Sequence, residues 1–350
     1  MNTADASAAE RCPQTVEELE EQLSRPTEAL ISALAELEGD LIVLGVGGKM
    51  GPTLARMARR ASDAAGVARR IIGVSRFSSS GLREQLTAWN IETVACDLLD
   101  ESAWEKLPDC PNVVYMAGYK FGATSAPDVT WAMNCWLPTL ACRRYPNSRI
   151  AAFSTGNVYG LVPVTSHGSR EEDEPRPVGE YAMTTLGRER MLQYFSRTRQ
   201  TPTAILRLNY ATELRYGVLV DIARKVQQGE PIDLAMSHVN VIWQRDANAM
   251  ALMALKQCAS PAKIINIAGA DKLRVREVAE TMGQALGREP VFRGEELGEA
   301  LLSDGRHGHA LLGTPPTSTE QMIAWTTEWI QRGGPLLDKP THFEARDGKF

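Results

Sequence analysis

Long apolar runs are missing from this sequence. No stretch approaches the roughly 20 consecutive apolar residues that a membrane-spanning helix needs. The first residues, MNTADASAAE, carry neither the basic start nor the apolar run of a signal peptide. The expectation is a cytoplasmic protein. Metal-binding spacings are missing too. The six cysteines (Cys12, Cys96, Cys110, Cys135, Cys142 and Cys258) form no CxxC pair and no zinc-finger spacing. They read as small buried hydrophobes in a reducing compartment. His167, His238, His307 and His309 have no defined carboxylate or cysteine partner in the sequence, so no metal site is expected. Positive charge is not in excess. The formal net charge of -5 argues against non-specific binding to nucleic acid or to an anionic membrane. Lys49 is not followed by Ser or Thr, so its loop is not that of an ATP or GTP hydrolase. FSTGNVYG, around Thr155, is not the GxSxG elbow of a hydrolase.

What is present is an ordinary globular balance, 43% hydrophobic and 23% charged over 350 residues. Residues 1–14 read as a loose leader. VEELEEQLSRPTEALISALAEL then predicts helix, interrupted near Pro26, as a packing or dimer element. From DLIVLGVGG onward, short apolar strands alternate with helical stretches. That cadence predicts a doubly wound parallel sheet, an α/β fold of the Rossmann type. The rhythm changes near residue 210, where shorter elements predict a smaller C-terminal substrate lobe. The expected organisation is a helical extension over 1–38 and a dinucleotide-binding domain over 39–210. A small lobe follows over 211–335, with some elements returning to the sheet, and then a surface tail over 336–350.

Gly45, Gly48 and Gly51 occur as GVGGKMG between a strand and a helix. Glycine is needed where a turn takes positive φ, where backbone meets a pyrophosphate and where helix packs closely on strand. The helix that follows offers unpaired N–H groups to phosphate. The second strand ends in VSRFSSS. An NAD site usually carries Asp or Glu there for the adenosine ribose. Ser75 and Arg76 instead suit a 2′-phosphate and favour NADP over NAD.

In their order and spacing these segments resemble the extended short-chain dehydrogenase/reductase family, in its branch of NAD-dependent epimerases and dehydratases. The resemblance runs from about Leu41 to Trp329. It implies that Gly45, Gly48, Lys49, Met50 and Gly51 hold the coenzyme diphosphate, with Ser75, Arg76, Asp97 and Leu98 at the adenosine end. It implies that Ala117, Gly118 and Lys120 lie along the coenzyme, and that Asn134 and Arg207 are the family's structural asparagine and strand arginine. Thr155 matches the catalytic hydroxyl and Tyr181 the catalytic tyrosine. Thr155, Asn157, Asn209 and Arg215 are expected on the substrate side. The departure is Thr185, where the family's YxxxK pattern has a lysine that lowers the tyrosine pKa. A neutral tyrosine, with pKa near 10, is a poor base at pH 7. Lys120 is the first candidate to supply the missing charge, and a water held by Thr185 is another. Arg188 ranks lower, because seven residues place it about two turns from Tyr181. The first functional reading is an NAD(P)-dependent epimerase, dehydratase or reductase acting on a nucleotide sugar or related carbonyl compound. The second is a dinucleotide-binding sensor or regulatory protein whose catalysis has lapsed. The resemblance also implies a homodimer.

Overall fold

The structure, a computed structural model, describes residues 11–348 except Ser79 and Phe121. Residues 1–10 of the expected leader lie outside the described residues. Seven strands carry the fold: β1 (Leu41–Leu44), β2 (Ile71–Ser75), β3 (Glu92–Ala95), β4 (Asn112–Tyr115), β5 (Arg149–Thr155), β6 (Thr203–Leu208) and β7 (Lys263–Ile267). They form one sheet in the order β7-β6-β5-β4-β1-β2-β3. Every neighbouring pair is parallel. The chain runs outward from β1 to β3 and then returns to the other side of β1 with β4. In open α/β sheets, ligands bind above the carboxyl ends of the strands at such a reversal.

The continuous apolar run of β1 is explained by burial on both faces. Leu41 and Val43 face a cluster with Leu54, Met57 and Ala58 of the helix Gly51–Ala64, and with Leu30 and Leu34 of the helix Glu28–Ala35. Ile42 and Leu44 face a second cluster with Leu137, Ala141 and Leu192. The segment after the leader forms two helices, Val16–Leu23 and Glu28–Ala35, on either side of Pro26. Thr15 and Thr27 cap them by accepting from the backbone N–H groups of Glu18 and Leu30. Both helices bury their apolar faces within this chain. Glu21 pairs with Arg56 and Arg60 of the helix after the glycine turn.

A third cluster, around Trp243, Trp325 and Trp329, fills the smaller lobe. It lies among the helices Val218–Gln228, Val275–Leu286 and Thr319–Gln331. Not everything after residue 211 belongs to it. The helix Gln244–Met253 lays Ala247, Met250 and Ala251 against the first sheet cluster, and β7 is a sheet edge.

The tail differs from its expectation as a surface extension. Phe343 is buried in the lobe. Thr341 donates to Asp221 Oδ2 from its backbone N (2.8 Å) and its hydroxyl (2.6 Å). Leu337 N bonds Arg215 O at 3.0 Å. Gly348 lies against Val178, where an added Cβ would meet the carbonyl oxygen at 2.2 Å. The described part of the tail is thus a strap across the lobe that reaches the start of the helix Gly179–Arg199. Irregular backbone held by side-chain hydrogen bonds has no hydrophobic period, so nothing in the sequence pattern marks it. Among the described residues, no helix is long and apolar enough to cross a membrane.

Candidate active site

The glycine turn sits at the β1/β4 reversal. Gly45 has φ +90°, and a Cβ there would lie 2.6 Å from Ala117 N. A Cβ on Gly51 would lie 2.2 Å from Val46 O. Both obstacles are backbone, so neither position has room for a side chain. The helix Gly51–Ala64 starts here with no side-chain cap at Met50. Gly51 N–H donates to Gly48 O at 3.2 Å and Pro52 carries no N–H. What this end offers an anion is therefore the positive pole of the helix and a turn without side chains in the way. This cradle fits the diphosphate of a dinucleotide. Ser75 closes it from the side: a Cβ on Gly47 would meet Ser75 Oγ at 2.5 Å. Arg76 and Asp97 are exposed at the ends of β2 and β3, and Leu98 is buried beside them. Ala117 is buried under Gly45.

Two neighbouring cavities open from the turn. One, of 220 Å³, runs from Gly45 and Gly48 past Met116 and Gly118 to Tyr181. The other, of 170 Å³, holds Thr155, Asn157, Tyr210, Tyr216, Gln244 and Thr341. Lys49, Met50, Lys120, Ser154, Tyr181 and Leu208 border both. Tyr181 stands in the first turn of the helix Gly179–Arg199. Burial pushes its phenol pKa up, against the opposing pull of the Arg188 charge and of hydrogen bonds with the Thr155 and Thr185 side chains. Thr155, the last residue of β5, and Tyr181 therefore meet at one point between the cavities. Thr185 is buried one turn along, and its hydroxyl donates to Tyr181 O at 2.8 Å.

Two lysines share the border. Lys120 Nζ lies 5.5 Å from the Tyr181 ring centroid, and Lys49 Nζ lies 2.9 Å from that of Tyr216. Burial, followed by the charges of Lys120 and Lys339, pushes the Lys49 pKa down to about 6. Burial pushes Lys120 down to about 8. An anionic ligand at this border restores the favoured ammonium form, so its binding takes up protons. The affinity for NAD is expected to be full below pH 6. It should then fall by up to tenfold per pH unit above that, until the bound-state pKa is passed. Calorimetry near pH 7 in buffers of different ionisation enthalpy reads that uptake, and Lys49→Met should reduce it.

Buried polar groups fix the tyrosine helix. Asn134 sits in a π-helical turn, Ala132–Trp136, an irregularity frequent at functional sites. Its side chain accepts from Tyr119 N (2.8 Å) and donates to Tyr119 O (2.8 Å) and Thr184 Oγ1 (3.0 Å). The loop after β4 is thereby tied to the tyrosine helix. Glu189, two turns beyond Tyr181, takes a bidentate pair from Arg207, Nε at 3.0 Å and Nη2 at 2.7 Å, and accepts from Ser154 Oγ. Glu189 and Arg207 are fully buried, and Ser154 adjoins Thr155.

Some expected site residues are placed elsewhere. Asn209 is buried beside the cavity, where its Nδ2 donates to Asn240 Oδ1 at 2.6 Å. Arg215 pairs with Glu213 (3.1 Å) and Glu20 (3.3 Å), bracing the helix Val16–Leu23. The cavity wall instead includes Tyr210, Tyr216, Gln244 and Thr341, which sequence reasoning did not single out. Tyr210 carries the one backbone signal, φ +41°, a conformation costly for an aromatic residue. A sequence does not display it.

No curated protein matches the sequence. Solved structures match its fold. One is MoeE5 in complex with UDP-glucose and NAD, at 20% identity and TM-score 0.67, covering 84% of this chain and 99% of that one. Another is UDP-glucuronic acid 4-epimerase from Bacillus cereus with NAD, at 17% identity and TM-score 0.69, covering 84% and 96%. A third is UDP-glucose 4-epimerase from Thermotoga maritima with UDP-glucose, at 18% identity and TM-score 0.66, covering 84% and 99%. The model of the NAD dependent epimerase/dehydratase family matches residues 41–268, well over half of the chain. With the glycine cradle at the strand reversal and a tyrosine–threonine pair beyond it, this chain belongs to the NAD-dependent epimerase/dehydratase family.

Proposed function

We propose that this protein is an NAD-dependent epimerase or dehydratase acting on a nucleotide sugar. Two proteins of similar fold are described as UDP-sugar 4-epimerases, and a third holds UDP-glucose and NAD. The observation that carries this reading is the meeting of Tyr181 and Thr155 at the border of two cavities, one of which begins at the glycine turn. Gly45, Gly48, Met50 and Gly51 hold the coenzyme diphosphate, and Lys49 balances its charge. Bound NAD supplies the acceptor for a hydride from carbon. The chain's own work is to handle the proton. Thr155 holds the reacting substrate oxygen by a hydrogen bond, and Tyr181 Oη takes the proton from that hydroxyl and returns it. Asn157, Tyr210, Tyr216 and Gln244 hold the sugar against the lobe, and Thr341 of the strap shields it from water.

At the adenosine end, the cationic Arg76 and the hydroxyl of Ser75 admit a 2′-phosphate, so NADP binds at least as tightly as NAD. The division into a coenzyme domain over 39–210 and a substrate lobe over 211–335, from which the helix Gln244–Met253 and β7 return to the sheet, is a functional one. The protein works in the cytoplasm as a homodimer. In support of the dimer, the helices Pro127–Trp131 and Gly179–Arg199, with the π-helical turn between Trp131 and Leu137, expose Val129, Trp131, Trp136, Met183 and Tyr194. A pairing surface there would cover these residues.

The test is incubation with NAD or NADP and a panel of UDP-hexoses and UDP-uronates, with products read by NMR and coenzyme uptake by calorimetry. Conversion of a sugar with either coenzyme is expected. Tight coenzyme binding without conversion of any sugar would replace this reading with that of a dinucleotide sensor.

A further inference from the structure

Arg188 is a buried cation that the proposed chemistry has not yet used. Seven residues after Tyr181, it returns to the same helix face two turns later, about 10 Å along the axis. Side chains on a helix lean toward its N-terminus, and arginine is long enough to cover much of that distance. Arg188 and Tyr181 both line the 220 Å³ cavity that begins at the glycine turn. Nη1 donates to Phe153 O at 2.7 Å, Nη2 to Asn134 Oδ1 at 2.8 Å, and Nε to Asn134 O at 3.5 Å. Each acceptor is a neutral amide oxygen, and among the described residues no carboxylate pairs with this guanidinium. The contrast with Arg207, which is neutralised by Glu189 one residue along the same helix, is direct.

Space has been made for the group. A Cβ on Gly118 would lie 2.4 Å from Nη2, so the glycine at this position admits the arginine as well as a ligand. Burying a charge without an opposite charge is costly. A fold that needed only hydrogen bonds to Phe153 and Asn134 could use a neutral amide. Thr185 meanwhile brings no charge: its hydroxyl donates to Tyr181 O and meets the phenol only as a neutral hydrogen-bond partner. Lys120 Nζ, 5.5 Å from the Tyr181 ring centroid, is another cation at this border, but burial pushes its pKa down to about 8, so its charge is not a fixed one.

We propose that Arg188 is the positioning residue that supplies Tyr181 with its fixed positive charge, from two turns down the same helix, in place of a cation at position 185. The proposal rests on reading Tyr181 as the acid–base group. When the substrate O–H bond breaks and its proton passes to Tyr181 Oη, the phenolate that accepts it has been stabilised by Arg188. The electron pair of the adjacent C–H bond leaves as hydride to NAD, and the C=O bond forms.

The experiment needs no coenzyme in its first arm. The phenolate absorbance of the whole protein is titrated with pH, and subtraction of the Tyr181→Phe titration isolates Tyr181. Arg188→Met removes the charge. Arg188→Gln removes it while keeping amide donors for the same oxygens, and so remains informative if Arg188→Met fails to fold. The expected result is a rise of at least about one unit in the Tyr181 midpoint in each folded neutral variant. Arg188→Lys should stay near the wild-type midpoint. Adding Thr185→Lys to Arg188→Gln should bring the midpoint back down, a rescue that a merely structural role would not produce. In the second arm, the pH profile of turnover should move by the same amount. An unchanged midpoint in a folded neutral variant overturns the proposal, whatever the turnover. A shifted midpoint in a protein that converts no sugar supports Arg188 and counts against the proposed function instead.

Discussion

Tyr181→Phe is expected to lower sugar conversion by about 10²–10⁴-fold, the usual contribution of a positioned acid–base group, with coenzyme binding retained. The variant removes one oxygen. Phenylalanine fills the same space between the cavities, so the fold and the glycine cradle are undisturbed. What is lost is the only atom of this side chain that can take a proton. The pH dependence has a definite sign. The ordinary tyrosine pKa is near 10, burial raises it, and the nearby cation and hydroxyls pull it down. In the direction that needs a base, activity should therefore rise with pH below the Tyr181 pKa and level off above it. The residual activity of Tyr181→Phe should lose that limb. Steady-state kinetics across pH, with calorimetry of NAD binding on the same samples, checks both halves. Loss of turnover together with loss of NAD affinity would show instead that the phenol holds the coenzyme.

The largest stability effect is expected at Glu189→Ala. Glu189 and Arg207 are 0% and 1% exposed, and removing one member of such a pair leaves a buried charge without compensation. The cost is about 3–5 kcal/mol, a large share of the roughly 5–15 kcal/mol that holds a typical domain folded. The double change Glu189→Leu with Arg207→Met should cost less than the single one, because it removes both charges together. Urea denaturation of the three proteins reads the difference. A single variant as stable as the wild type would mean that water reaches the guanidinium. The position adds a functional consequence. Ser154 also bonds Glu189 and precedes Thr155, so loosening the pair moves the hydroxyl that Tyr181 meets.

The framework could be read from the residues because it obeys simple periods. Leu41 to Leu44 are the continuous apolar run of a doubly covered strand, and Gly45 and Gly51 after them sit where a side chain would strike backbone. Pro26 marks the break between the helices Val16–Leu23 and Glu28–Ala35. The lobe was legible as helices but not as a cavity wall. Tyr210, Tyr216 and Gln244 reach the site from short segments whose pairing is non-local, such as 211–212 with 242–243. Thr341 arrives from a strap without periodicity. Spacing alone ranked Arg188 low, since two turns look remote when counted along the axis. The direction in which a helical side chain leans, and the length of its stem, bring the charge back toward the tyrosine. Asn209 and Arg215 show the reverse case. They are polar residues at plausible positions, and nearer partners inside the fold engage them.

The seventh strand has a practical implication for dissecting this molecule. The backbone leaves the sheet at Leu208, builds part of the lobe, and comes back at Lys263 to pair with β6. A fragment cut near residue 210 would keep the glycine cradle and the tyrosine helix. It would also expose the hydrogen-bonding edge of β6 and uncover the sheet face now shielded by Ala247, Met250 and Ala251. Bare edges of this kind favour self-association, so coenzyme and sugar recognition have to be separated by point substitution, not by scission.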